Sequence, residues 1–186
     1  MKASLMTMAG WIMMAVSIAD PAAAAEQVIT PAPLQRAAAP NQPVAFTVGY
    51  GTANPCLDQL TGLGLRIHWD SSRLAFASLS GVLPTALVAQ GSVEDDTANA
   101  DGDALTDKFL QVAWADVDAV WPGGGCTTAN LFTANFNVLP GMTDRTVIRF
   151  SASSTAAGFD VTSVPAVVMR ADLTPSCGGW RAVLGR

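Results

Sequence analysis

Hydrophobic and polar residues alternate in short runs over most of this chain. Val44, Phe46 and Val48 alternate with Ala45, Thr47 and Gly49, the period-two pattern of a strand with one buried face. The cleanest run sets Leu63, Leu65, Ile67 and Trp69 against Gly64, Arg66 and His68. Asp70-Ser71-Ser72 then reads as a turn, and Leu74-Ala75-Phe76 resumes an extended run. Leu110, Val112 and Trp114 share one face of a strand predicted from Phe109 to Ala115. Phe132, Ala134, Phe136 and Val138 alternate with Thr133, Asn135 and Asn137, and Pro140-Gly141 ends that run. Thr146, Ile148 and Phe150 oppose Val147, Arg149 and Ser151, and a last strand is predicted over Ala166 to Met169. Leu83 to Val88 is apolar but short, and fits either a strand or one helical turn. Residues 26–42, rich in proline and poor in pattern, are expected to form an extended lead-in with a first edge strand near Val28. Many short alternating runs with turn signals between them and almost no helical periodicity predict an all-β sandwich over residues 43–170.

The N-terminus changes the picture of where this domain works. Lys2, an apolar run from Leu5 to Ile18, and Ala23-Ala24-Ala25 before Glu26 have the order of a secretory signal peptide. The apolar run is too short for a spanning helix. Residues 1–25 are therefore expected to be removed, so that contact with a membrane is transient. The remainder, about 160 residues, is one domain by length, with a tail at 171–186. The mature chain is expected to be periplasmic, at the cell surface or secreted. A net charge of −5 with only two lysines argues against nucleic acid or an anionic membrane as partner. Cys56, Cys126 and Cys177 permit one disulfide in an oxidising compartment. Cys56–Cys126 is the expected pair, because both lie in Gly- or Pro-containing loops of the patterned region, whereas Cys177 lies in the tail. The absence of a C-x-x-C pair argues against metal ligation by cysteine.

The candidate chemistry concentrates between Gly91 and Trp121, which holds eight of the fifteen acidic residues. Asn99, Asp101, Asp103 and Asp107 read N-x-D-G-D-x-x-x-D around Gly102. Oxygen-bearing side chains at alternate positions of a tight loop converge on one point, and Ca²⁺ takes about 6–8 oxygens. The expected calcium ligands are Asn99, Asp101, Asp103, Asp107 and the carbonyl of Leu105. The loop is similar to the D-x-D-G-D loops of extracellular calcium-binding repeats and departs from the EF-hand, since Thr97 and Lys108 fall where carboxylates belong. The competing expectation is a solvated acidic turn.

Other chemistry is thinner. His68, the single histidine, is out of phase with Leu65, Ile67 and Trp69 and shares a face with Arg66. It reads as a surface or inter-strand residue rather than a catalytic base. No serine sits in G-x-S-x-G. Asp116 and Asp118, two apart, read as a solvated loop rather than a glycosidase pair. Trp121, beside Pro122 and three glycines, is a candidate sugar-stacking platform or a cap on the open end of the core. Trp69 and Trp114 fit buried strand phases. Trp180 lies in the tail, where nothing in the sequence decides its role.

Two strand patterns carry a family resemblance. Val44-Ala45-Phe46-Thr47-Val48 followed by Leu65-Arg66-Ile67-His68-Trp69-Asp70-Ser71-Ser72-Arg73-Leu74 resembles the early strands of cohesin domains, where an alternating strand ends in an aromatic-Asp pair, a short turn and a Leu. Leu131-Phe132-Thr133-Ala134-Asn135-Phe136-Asn137-Val138 is similar to their later strand. The match covers roughly Pro43 to Val168. The resemblance implies a single jelly-roll β-sandwich of about 8–9 antiparallel strands, a type shared with some carbohydrate-binding modules. It also implies a non-catalytic role, since cellulosomal members bind dockerins through one sheet face. The acidic insertion and the cysteines depart from that pattern. The resulting expectation is an exported, calcium-stabilised binding or adhesion module whose partner is an extracellular protein or, alternatively, a polysaccharide. An enzyme on the same scaffold is the third reading.

Overall fold

A computed structural model describes residues 25–53, 59–123 and 128–171. Residues 1–24 of the expected signal peptide, all three cysteines with the expected Cys56–Cys126 bridge, and Trp180 lie outside the described residues. The strands are β1 (Ala25–Ala32), β2 (Gln35–Ala38), β3 (Pro43–Thr52), β4 (Gln59–Leu60), β5 (Gly62–Trp69), β6 (Leu74–Ser80) and β7 (Leu87–Asp95). They continue with β8 (Lys108–Ala115), β9 (Trp121–Pro122), β10 (Ala129–Val138), β11 (Arg145–Ser154), β12 (Phe159–Ser163) and β13 (Ala166–Arg170). One sheet has the order β12-β1-β3-β10-β6, a second β2-β13-β11-β5-β8-β7, and β4 pairs with β9 in a two-stranded patch.

The two large sheets face each other across one core, as jelly-roll sandwiches do. The predicted inward phases are the observed ones. Val44, Phe46 and Val48 of β3, Leu63, Leu65, Ile67 and Trp69 of β5, Leu110, Val112 and Trp114 of β8, and Phe132, Phe136 and Val138 of β10 are all buried. Trp69 packs on Phe76 and Phe136, with ring centroids 5.7 and 5.5 Å apart.

Residues 25–38 depart from the expectation of an extended lead-in with an edge strand near Val28. β1 lies between β12 and β3, pairing parallel with the first and antiparallel with the second, and β2 runs parallel to β13 at the far edge of the other sheet. The alternation is masked in β1 because its inward positions are Gln27, Ile29 and Pro31. A buried amide is tolerated only when hydrogen-bonded. Gln27 is fully buried, its Nε2 donates to Tyr50 Oη at 3.0 Å and to Gly62 O at 3.3 Å, and its Oε1 accepts from Ala156 N at 3.3 Å. The short apolar stretch Leu83–Val88 resolves into an irregular segment followed by β7, an edge strand exposed along its whole length. With all of its positions exposed, β7 has no buried face to impose an alternation on its sequence.

Candidate functional site: an acidic insertion clasped to a sheet

The segment between β7 and β8 folds back over the outer face of the six-stranded sheet. Lys108 opposite Asp95 closes the ladder, with an ion pair between their side chains, and Asp96 N donates to Asp107 O at 2.9 Å across the neck. Beyond the neck the chain makes successive tight turns, Asn99 N to Asp96 O, Gly102 N to Asn99 O and Thr106 N to Asp103 O, each at 3.1 Å. Asn99 and Gly102 take the positive φ values of 50° and 75° that such reversals need, a conformation open to Gly and tolerated by Asn.

Side chains of the insertion then fix these turns and tie them to the sheet. Asp96 accepts from Ala100 N through both oxygens, at 3.1 and 3.2 Å. Asp101 accepts from Asp103 N at 3.2 Å, and its other oxygen lies 2.7 Å from the Thr106 hydroxyl. Asp103 accepts from Leu105 N at 3.1 Å and from Arg149 Nε of β11 at 2.9 Å. The Leu105 amide, then Arg149, hold its carboxyl below the usual range against a burial contribution of opposite sign. Asp107 accepts from Ser71 N and Ser71 Oγ at 2.7 and 2.6 Å, reaching the β5–β6 turn. Burial opposes ionisation of Asp107, but Ser71 and the neighbouring charge of Lys108 outweigh it and lower its pKa.

His68 is the anchor beneath. Its position on the outer face of β5 made it a surface or inter-strand residue by sequence; it is an inter-strand one, and fully buried because the insertion covers it. Nδ1 lies 2.8 Å from Asp96 Oδ2, and Nε2 lies 2.7 Å from Ser151 Oγ on β11. Asp96 is itself almost wholly buried, at 1 % side-chain exposure. Burial pushes the His68 pKa down, opposed by the charges of Asp101 and Asp96, so the neutral ring donates from Nδ1 to Asp96 and accepts the Ser151 hydroxyl proton at Nε2. The Phe109 ring lies beside the imidazole at 5.7 Å between centroids, and the Arg66 guanidinium lies 5.5 Å over Phe109, a cation–π contact.

The order Ser151–His68–Asp96 is that of a hydrolytic relay, but its setting is that of a structural pin. Ser151 lies within the β11–β5 ladder opposite Arg66, and catalysis by such a relay needs an exposed nucleophile beside free donors for an oxyanion. Sequence reasoning missed Ser151 and Asp96. The available signal was a lone histidine on the polar face of a core strand in a chain with a long acidic insertion, since an insertion that long needs a tether.

The three carboxylates among the five expected calcium ligands are each held by separate partners. Asp103 is directed at Arg149 and Asp107 at Ser71, while Leu105 is exposed and donates its amide to Asp103. Of the three expected carboxylate ligands, only Asp101 joins a cluster of His or carboxylate ligand atoms within 4.8 Å of one another among the described residues, and its companions there are His68 and Asp96. Trp121 is not an exposed platform. It is 1 % exposed and packs on Tyr50 and Trp114, with centroids 4.6 and 6.0 Å away. It therefore closes the end of the core, the second of the two roles open to it by sequence. Asp116 is a turn-former whose oxygens accept from Asp118 N and Val120 N at 3.1 and 3.0 Å, which leaves no carboxylate pair facing a cleft there.

No protein-family model matches the sequence, and no curated protein matches it. Solved structures do match the fold. The seventh ScaB type I cohesin from Pseudobacteroides cellulosolvens superposes with a TM-score of 0.52 at 8% identity, covering 77% of this chain and 91% of that one. A type I cohesin–dockerin complex from Clostridium thermocellum gives 0.51 at 14% identity over 77% and 98%. The sixth cohesin of scaffoldin B from Acetivibrio cellulolyticus, solved with a Cel5 dockerin, gives 0.50 at 15% identity over 79% and 99%. The chain therefore has a cohesin-like fold: a jelly-roll sandwich of two sheets that carries an acidic clasp on its six-stranded face.

Proposed function

We propose that this protein is a non-catalytic module that binds another protein outside the cytoplasm through the outer face of its six-stranded sheet. The observation that carries the reading is the cohesin-like sandwich itself, whose solved relatives include cohesins in complex with dockerins. The partner is read as a dockerin-bearing or similarly compact protein. The face offered by β7, β8 and β5 supports this. Leu87 and Ala89 pair with Ala115 and Ala113, and Gln111 pairs with Arg66, in one outward phase. Leu87 is 72 % exposed. The clasped insertion borders this surface, and a loop already ordered in the free protein lowers the entropy lost on binding.

A photo-crosslinker placed at Leu87 or Gln111, and as a control at Thr47 on the five-stranded sheet, tests the assignment in an extracellular fraction. Adducts to one protein from the first two positions and none from Thr47 are expected. Adducts confined to Thr47, or retention of the chain on a polysaccharide array with none to protein, would replace the reading. Among the described residues the tryptophans Trp69, Trp114 and Trp121 are all buried, so none of the three offers a platform for the polysaccharide alternative.

Calcium belongs to the proposal as a stabiliser of the insertion. Binding at Asn99, Asp101, Asp103, Leu105 and Asp107 requires Asp103 to leave Arg149 and Asp107 to leave Ser71. The site is therefore expected to be weak, in the range of about 10⁻⁴–10⁻³ M of extracellular modules. Melting in millimolar calcium and in chelator checks it. Identical midpoints would leave the insertion held by its own hydrogen bonds alone.

A further inference from the structure

A second feature of the same end of the sandwich bears on what the partner must carry. A cleft of about 290 Å³ opens between the insertion, the β5–β6 turn and the start of β11, lined by Arg73, Arg145 and Arg149 together with Asp70, Asp103 and Leu105. Three of the eight arginines of an acidic chain therefore meet in one place. Two are already held. Arg73 Nε lies 3.0 Å from Asp70 Oδ2 and its Nη1 donates to Arg145 O, while Arg149 Nε lies 2.9 Å from Asp103 Oδ2. Among the described residues the Arg145 guanidinium has no ion-pair or hydrogen-bond partner. Three guanidinium groups thus face two carboxylates, a surplus of one positive charge in the cleft. Asp144, exposed beside Arg145, is the nearest further acid along the chain.

From this arrangement we infer that the cleft receives an acidic side chain of the protein partner. Guanidinium groups present paired donors that match a carboxylate. Arg73 and Arg149 are preorganised by Asp70 and Asp103 through their Nε edges, and the terminal nitrogens of Arg149 remain for a ligand. Leu105, 67 % exposed at the rim, and half-buried Val147 add apolar surface beside the charge. That mixture favours a peptide bearing an acidic residue next to an aliphatic one over a uniformly polar acidic sugar. This inference rests on the reading of the chain as a protein-binding module, and it adds a second contact at the end of the sheet.

The test uses the mature chain, a labelled hexapeptide of alternating Leu and Glu, the same peptide with Gln for Glu, trigalacturonate and inorganic sulfate. The Glu peptide is expected to bind, to shift the backbone amide signals of Leu105 and of residues 145–149, and to weaken about tenfold or more in Arg145→Ala. The Gln peptide should not bind. Arg36→Ala, an exposed arginine on β2 outside the cleft, should bind as the parent does. Arg145→Ala removes no interaction within the described fold, so thermal melting should be unchanged. Absence of binding, equal binding by Arg145→Ala, or shifts elsewhere would overturn the inference. Binding of trigalacturonate or sulfate as tight as that of the Glu peptide would overturn the peptide assignment. If these arms fail while crosslinks at Leu87 and Gln111 persist, the cleft assignment alone is lost. If both fail, the protein-binding reading goes with it.

Discussion

Replacing His68 by Ala isolates what holds the insertion to the sheet. The substitution removes two hydrogen bonds, to Asp96 at 2.8 Å and Ser151 at 2.7 Å. It also strands the Asp96 carboxylate, which is 1 % exposed and keeps only the Ala100 amide beside it. A hydrogen bond to a charged group contributes about 1.5–3 kcal/mol, and an unsatisfied buried acceptor costs about 1–3 kcal/mol. Those figures overlap, and Asp96 recovers part of the loss if the loop lifts and lets water in. The net loss expected is about 2–4 kcal/mol, a large share of the roughly 5–15 kcal/mol that holds a domain together. Urea unfolding at pH 7.5, followed by the fluorescence of Trp69, Trp114 and Trp121, reads this directly. A double-mutant cycle with Asp96→Asn should give a coupling of at least about 1 kcal/mol, as contacting partners do. If His68→Ala stays within about 0.5 kcal/mol of the parent, or the two substitutions are additive, the clasp contributes nothing and the reasoning fails.

Four further outcomes rest on the same structure. Burial lowers the His68 pKa in the folded chain, so the unfolded chain takes up its proton first as pH falls below about 6.5. In chelator, stability should then fall by up to about 1.4 kcal/mol per pH unit until the lower folded-state value is passed, a component missing in His68→Asn. A rise in stability on acidification from pH 7.5 to 6 would mean that Asp101 and Asp96 prevail over burial. The pKa values of Asp103 and Asp107 are lowered, so their contributions are lost only at more acidic pH, as it falls through and below the ordinary carboxylate range. Trp121→Ala should cost about 3–5 kcal/mol, as deletion of a buried aromatic does, whereas a sugar platform would lose only binding; a calorimetric melt separates the two. Gly62→Ala should melt far below the parent, because its φ is +125° and a Cβ there would lie 2.0 Å from Trp114 O; an unchanged midpoint would contradict the packing of β5 on β8.

Much of the sandwich is legible in the sequence where one face of a strand meets the core and the other does not. Val44–Val48, Leu63–Trp69 and Phe132–Val138 alternate for that reason, and their buried faces follow. The pattern disappears where this condition lapses. β1 buries an amide and a proline, so Gln27-Val28-Ile29-Thr30-Pro31 carries no readable period. β7 is exposed on both faces, and its nine residues have no reason to alternate. His68 shows the converse: the face it occupies is polar by phase, but a segment about thirty residues further on covers it, and phase cannot register that. The acidic loop was legible as a tight turn through Gly102, though not through Asn99, whose positive φ was not expected from the sequence. What its carboxylates point at was not, since Arg149 and Ser71 reach them from strands and turns distant in sequence.

Native-state hydrogen exchange on the protein at pH 7 tests the central claim most directly, namely that the insertion is a built part of the six-stranded face. The amides of Asp96, Ala100, Leu105 and Thr106 donate within the clasp. The claim predicts that they exchange slowly in the parent and lose protection in His68→Ala, while β3 and β10 amides stay protected. Exchange of those four amides at unfolded-chain rates in the parent, or protection unchanged by the loss of His68, would contradict it.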